Sequence, residues 1–107
     1  MFMKRENWIV NVEGQRGFFQ ILLLLHRKNE LLQSQLYNNK PDISISNNAT
    51  AMRAINLLMK YGLVREKRKK KNNGKYYSLT EQGRICANHF IQFQKQIDSH
   101  LSNNGKD

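Results

Sequence analysis

Residues 47–84 read NNATAMRAINLLMKYGLVREKRKKKNNGKYYSLTEQGR, and three local signals in this stretch decide the fold. The first is a helix over 47–61. Asn47 or Ser46 stands just before it, where a side-chain oxygen can accept from an orphan N–H of the first turn. Ala51, Ile55 and Leu58 follow at spacings of four and three and share one stripe, while Arg53, Asn56 and Lys60 share the opposite one. Gly62 ends the helix, since a left-handed residue costs glycine least. The second signal is a hairpin. Two extended runs, 63–71 and 75–79, flank Asn72-Asn73-Gly74. Asn-Gly suits a two-residue type I′ turn, in which both central residues need positive φ. The third signal is Thr80, placed to cap a last helix over 81–101.

Working outward, residues 18–27 predict a helix that is apolar on nearly every side, with Phe18, Phe19 and the run Ile21, Leu22, Leu23, Leu24, Leu25. Such a helix belongs inside a bundle or between subunits. Lys28 and Asn29 break the pattern. Residues 31–38 predict a short second helix with Leu32 and Leu36 inward. Residues 39–46 are a loop, because Pro41 cannot continue a helix. In residues 1–17, an N-terminal arm, Trp8, Val10 and Val12 alternate as in a short strand, with a helical turn as the other reading. Along the last helix, Cys86, Phe90, Phe93, Ile97 and Leu101 step by four, three, four and four, an a/d-like seam. Residues 102–107 are a polar, flexible tail. The expected order is helix, helix, helix, hairpin, long helix: a mainly α fold with a small β-hairpin.

Charge narrows the partner. The 107 residues carry 18 Lys and Arg against 8 Asp and Glu, a formal net charge of +10. Such a surface attracts polyanions. Seven of the basic residues, Arg65, Lys67, Arg68, Lys69, Lys70, Lys71 and Lys75, fall within eleven positions of the hairpin, with Glu66 the one opposing charge there. Cations crowded on a two-stranded ribbon repel one another unless an anion visits.

The helix ending Leu58-x-x-x-Gly62-Leu63-Val64, the basic hairpin with its Asn-Gly tip and the exit Leu79-Thr80-x-x-Gly83-Arg84 together resemble the winged-helix transcription regulators, in the broad MarR-, PadR- and ArsR-like neighbourhood. The resemblance covers roughly residues 18–84. It implies a winged helix-turn-helix domain over 18–84, with the hairpin as its wing, and a C-terminal dimerisation helix over 81–101. One departure is the link 39–46, longer than the tight turn usual in such proteins.

The physics points the same way. A helix fits the major groove, and residues of its N-terminal half meet base edges. Asn48, Ala49, Thr50, Met52 and Arg53 are the candidate base-reading positions. Arg53 suits guanine bidentately, and Asn48 suits adenine or a phosphate. Asn47, Lys60 and the wing residues 64–77, Arg65, Lys67, Arg68, Lys69, Lys70, Lys71 and Lys75, are the candidate phosphate contacts. The seam Cys86, Phe90, Phe93, Ile97 and Leu101 is the candidate homodimer interface, its plainer alternative being packing onto the first helix.

Other classes find less support. One cysteine excludes an intrachain disulfide. The longest aliphatic run, residues 21–25, is far short of the ~20 residues of a membrane span, and residues 1–12 lack the apolar segment of a secretory signal. A cytoplasmic, nucleoid-associated protein is expected, with no membrane partner. No Gly-rich phosphate loop, nucleophile motif or spaced carboxylate pair marks an enzyme. Cys86 and His89 lie three apart on one helix, but no further ligands are spaced to join them, so neither metal nor cofactor is expected. No effector pocket is legible. The expected function is a dimeric regulator bound to double-stranded DNA. A sequence-tolerant architectural DNA protein and a polybasic interaction module are the alternatives.

Overall fold

The computed structural model describes residues 7–38 and 43–104. In chain order they form helix α1 (Trp8–Glu13), helix α2 (Phe18–Lys28), strand β1 (Glu30–Leu32), a 3-10 turn (Gln33–Leu36), helix α3 (Asn48–Lys60), strands β2 (Val64–Lys69) and β3 (Gly74–Leu79), and helix α4 (Glu81–Asn104). The antiparallel sheet runs β1-β3-β2. The mainly α fold with a hairpin and a long C-terminal helix is as the sequence predicts.

Several local expectations change. The helix expected over 31–38 does not form. Asn29 takes a φ of 70° and turns the chain into β1, which pairs Glu30, Leu31 and Leu32 with Ser78, Tyr77 and Tyr76. Leu31 is thereby buried and Leu32 only half-buried, while Leu36 is buried from the 3-10 turn. An eight-residue helix has little stability of its own; the open edge of β3 offers the backbone a better partner. The hairpin loop holds four residues, 70–73, because Lys69 pairs with Gly74. Within it only Asn73 has positive φ, and Gly74 is the first residue of β3, not a turn centre. The Asn72 carboxamide accepts the Gly74 N–H at 3.1 Å, an Asx turn that replaces the expected type I′ geometry. Residues 8–13 are helical. Trp8 and Val12 are also four apart, so a short alternation fits both periods, and only Val12 is buried. The last helix continues to Asn104, so residues 102–104 of the expected tail are helical, and 105–107 lie outside the described residues.

The core gathers the apolar face of α2 (Phe18, Ile21, Leu22, Leu24, Leu25), that of α3 (Ala51, Ala54, Ile55, Leu58) and the inner side of the sheet (Leu31, Val64, Tyr77, Leu79). The expected loop 39–46 is described from residue 43 onward, its first four residues lying outside the description. Ile43 and Ile45 are buried, and Ser44 gives both its N–H and its hydroxyl to Gln20 Oε1, at 2.7 and 3.0 Å. The unusually long link is thus fastened to α2 just before α3 begins. From α4 the core receives Ala87, with Gly83 also buried; Cys86 is exposed.

One junction fixes the hairpin between α3 and α4. Gly62, at a φ of 75°, reverses the chain after α3. The Thr80 hydroxyl donates to Gly62 O at 2.6 Å and accepts the Gly83 N–H at 3.0 Å, and the Thr80 N–H donates to Leu63 O at 3.0 Å. A Cβ on Gly83 would lie 2.0 Å from Leu63 O, so the backbones touch with no room for a side chain.

Two outcomes follow. Gly83→Ala forces backbone apart at this junction and destabilises by about 1–3 kcal/mol or more, whereas Thr80→Ala removes the cap and costs about 1 kcal/mol; urea titrations of the two variants rank them. Burial pushes the Tyr77 hydroxyl above its ordinary 10.0, and the charge of Glu66 and its hydrogen bond to the hydroxyl add to this. A raised value in the folded state means stability that is complete below pH 10 and is lost as pH climbs through the folded pKa. Urea midpoints above pH 10 fall more steeply for the wild type than for Tyr77→Phe.

Candidate nucleic-acid interface

Helix α3 starts where the sequence places it. Asn47 is extended, and its Oδ1 accepts the Thr50 N–H at 2.8 Å. Asn48, Ala49 and Arg53 are exposed and Thr50 is half-buried. The Thr50 hydroxyl accepts from the Arg53 guanidinium at 3.3 Å, which gives that long side chain a fixed stance over the first turn. Met52 departs from the expected outward group. It is half-buried and packs against the core, because its position adjoins the Ala51–Ile55 stripe. Arg53, Asn56 and Lys60 line a recess with Asn11 and Gln15, downstream on the same helix.

The strand period of two divides the wing cations between its faces. Arg65, Lys67 and Lys69 lie on the face of Tyr76 and Ser78, away from the core. Arg65 Nε donates to Ser78 Oγ at 3.4 Å, and Lys69 Nζ sits 4.3 Å from the centre of the Tyr76 ring. Glu66 and Arg68 lie on the face of Lys75 and buried Tyr77, where the Tyr77 hydroxyl donates to Glu66 Oε1 at 3.4 Å. Lys70 and Lys71 are exposed at the tip. The seven cations are therefore not one patch. Arg68 and Lys75 share the face that carries the core side chains, with Lys70 and Lys71 beyond them at the tip.

Lys69 is also the exception to the expected single opposing charge. Its ammonium bridges to Glu30 Oε1 at 2.6 Å, across the face of β3. The hydrogen bond and charge of Glu30 hold the Lys69 ammonium above its ordinary 10.5. Glu30 is 39 residues from Lys69 in the chain, and only its pairing in β1 brings it there.

At the other face of the hairpin, Asn73 and Lys75 line a cleft of about 440 Å³ together with Asn48, Gln33, Ser34 and Tyr37. The wing and the first turn of α3 are thus neighbours. Gln33, Ser34 and Tyr37 were absent from the sequence-derived set, because a segment expected as helix gave no reason to aim them at α3.

The seam of α4 divides in two. Phe90 is half-buried and stacks on Phe19, ring centres 4.3 Å apart and 6° from parallel. Phe93, Ile97 and Leu101 are exposed, as are Trp8, Ile9 and Val10 of α1. Between these groups lies an apolar cavity of about 720 Å³ bounded by Trp8, Phe18, Phe19, Tyr61, Phe90 and Phe93. Its aromatic residues come from four separate segments, which is why no pocket was legible. Among the described residues no three His, Cys, Asp or Glu side chains are placed to hold a metal, and no helix is long and apolar enough to cross a membrane.

Comparison with solved structures bears on the fold. A variant of Lactococcus lactis ZitR superposes with a TM-score of 0.68 at 20% identity, covering 94% of this chain and 72% of its own. Streptococcus pneumoniae FabT, solved in complex with DNA, gives 0.69 at 17% identity over 88% and 68%. The adhesin competence repressor AdcR of Streptococcus pyogenes gives 0.69 at 18% over 94% and 74%. No family model matches the sequence, and no curated protein matches it significantly. At these identities the likeness is one of fold, and the fold is the winged helix that the sequence resembles.

Glu30→Gln removes the Glu30 charge and weakens its hydrogen bond, the main contributions that raise the Lys69 ammonium. Its pKa then falls toward the ordinary lysine value, which an NMR titration of the lysine side chains reads directly.

Proposed function

We propose that this protein is a dimeric DNA-binding transcription regulator, with α3 in the major groove and the basic wing on the phosphate backbone. The single observation that carries this reading is the juxtaposition of wing and helix. Asn73 and Lys75 share a cleft with Asn48, the first residue of α3, and Arg68, Lys70 and Lys71 continue the positive charge outward. Two adjacent elements, one able to enter a groove and one rich in cations, match a duplex, whose grooves alternate with anionic ridges. The FabT structure in complex with DNA supports the reading, as does the naming of AdcR as a repressor. Arg53, braced by Thr50, is the base reader in this account, and Asn47, Lys60 and the remaining wing cations meet phosphates.

Dimerisation rests on exposed apolar surface at the two ends of the chain. Trp8 is 55% exposed, Phe93 59% and Leu101 60%. Large apolar side chains on two neighbouring helices are what a second copy covers. The domain division is then a winged helix over 18–84 and a dimer helix from 81, with the exposed residues Trp8, Ile9 and Val10 of α1 adding to the dimer surface. In this reading the protein acts at the chromosome, in the cytoplasm.

Electrophoretic shifts with the DNA upstream of its own gene and with scrambled duplex test the function. The native sequence is bound more tightly, and with ~5 phosphates engaged log K falls against log salt with a slope of about −4 to −5. Equal affinity for both duplexes would favour the architectural alternative. Arg53→Ala relaxes preference at one base position at a cost of about 1–3 kcal/mol, and Arg53→Lys does not restore it, since lysine lacks the bidentate fork. Phe93→Asp gives monomers in sedimentation and weakens binding through lost bivalency.

A further inference from the structure

The 3-10 turn that replaced the expected second helix holds a side chain with a specific relation to α3. Gln33 Nε2 donates to Asn48 Oδ1 at 3.1 Å. We propose that Gln33 is a positioning residue: it turns the Asn48 amide so that its NH₂ group is offered outward, and so assigns Asn48 to a backbone phosphate in the cleft between wing and α3. The proposal rests on the DNA-binding reading above and specifies what Asn48 does within it.

The support under Gln33 is rigid. Leu31 and Leu36, on either side of it, are buried. β1 is held in the sheet, and the Leu32 N–H donates to Gln35 Oε1 at 2.8 Å, closing the turn on itself. Asn48 is exposed and begins a helix whose cap is already satisfied by Asn47. Its amide therefore has no capping duty and is oriented by Gln33.

The orientation decides the chemistry. A carboxamide can read adenine only by presenting an acceptor and a donor together. Gln33 takes one lone pair of the Asn48 oxygen and turns that oxygen toward the protein, so the side chain presents its two N–H donors outward. The cleft has the same character. Lys75 brings a positive charge, Ser34 and Tyr37 bring hydroxyls, Asn73 brings a second amide, and none of the lining side chains is acidic. The group on DNA that is anionic and only accepts is the phosphodiester. The positive end of the α3 dipole adds to the same preference. The sequence alone left Asn48 between adenine and phosphate, and the Gln33 contact favours phosphate.

The test measures duplex affinity for the full chain on its preferred sequence and on scrambled DNA. Asn48→Ala weakens both by the same factor, about tenfold for a lost hydrogen bond to a charged group, and Gln33→Ala weakens both by a smaller common factor. In the Asn48→Ala background, Gln33→Ala has no further effect, because it acts through Asn48. Gln33→Glu is more harmful than Gln33→Ala, since a carboxylate can only accept and turns the Asn48 oxygen outward. The part of that loss that vanishes in the Asn48→Ala background is due to the amide, and the part that persists is plain repulsion by the added charge. A single methylphosphonate at the contacted phosphate weakens the wild type by a larger factor than Asn48→Ala, which keeps only the attraction of Lys75. Additive effects of the two alanine changes, or a change in base preference with scrambled binding intact, overturn the proposal. If the wild type binds no duplex at all, the DNA-binding reading has failed first, and that is seen before any variant is made.

Discussion

The architecture hangs on a contact between two stretches of backbone. Leu63, leaving α3, lies so close to Gly83, in the first turn of α4, that a methyl group cannot come between them. Thr80 fastens the same place with three hydrogen bonds, to Gly62, Leu63 and Gly83. The strands that leave and re-enter this knot are β2 and β3. Their direction is set at the base, where Val64 and Leu79 are buried, and the polar outer part of the hairpin extends from that base without a core of its own. The position of the wing beside α3 therefore depends on glycine and threonine at the foot of the hairpin more than on any cation at its end.

A second constraint comes from the pleat. A sequence run of Arg, Glu and Lys looks like one block of charge, but alternate residues of a strand face opposite ways. Buried Tyr77 fixes which way, since it must point into the core. That choice sends Arg68 and Lys75 to one side and Arg65, Lys67 and Lys69 to the other. The pairing of β1 then brings Glu30 to Lys69 and Gln33 to Asn48. One three-residue strand thus tempers the charge on the outer face and sets the polarity of an amide on the inner side.

Much of the candidate site was legible. The α3 cap at Asn47, the buried stripe of Ala51, Ile55 and Leu58, and the exposed Arg53 follow from helical spacing and cap chemistry, which act within one turn. Met52 was misjudged because a residue at the edge of a stripe is sorted by what packs beside it, which spacing does not specify. The four-residue hairpin loop was misjudged because the Asn-Gly pair suits a tight turn, while strand register, set at the far end by Val64 and Leu79, placed Gly74 within β3. That the core takes Ala87 from α4 was not legible, because the close approach at Gly83 fixes which face of α4 turns inward.

By itself the sequence determined the helices α2, α3 and α4, the hairpin, the cap residues and the concentration of positive charge, all of which arise from interactions between near neighbours in the chain. Tertiary structure decided β1, the division of the wing cations, the Glu30–Lys69 bridge, the Gln33–Asn48 contact and the aromatic cavity between α1, α2 and α4. Each of these joins residues far apart in sequence. Their partners are chosen by which strand edge is open and which helix face is buried, and those choices exist only once the core has closed.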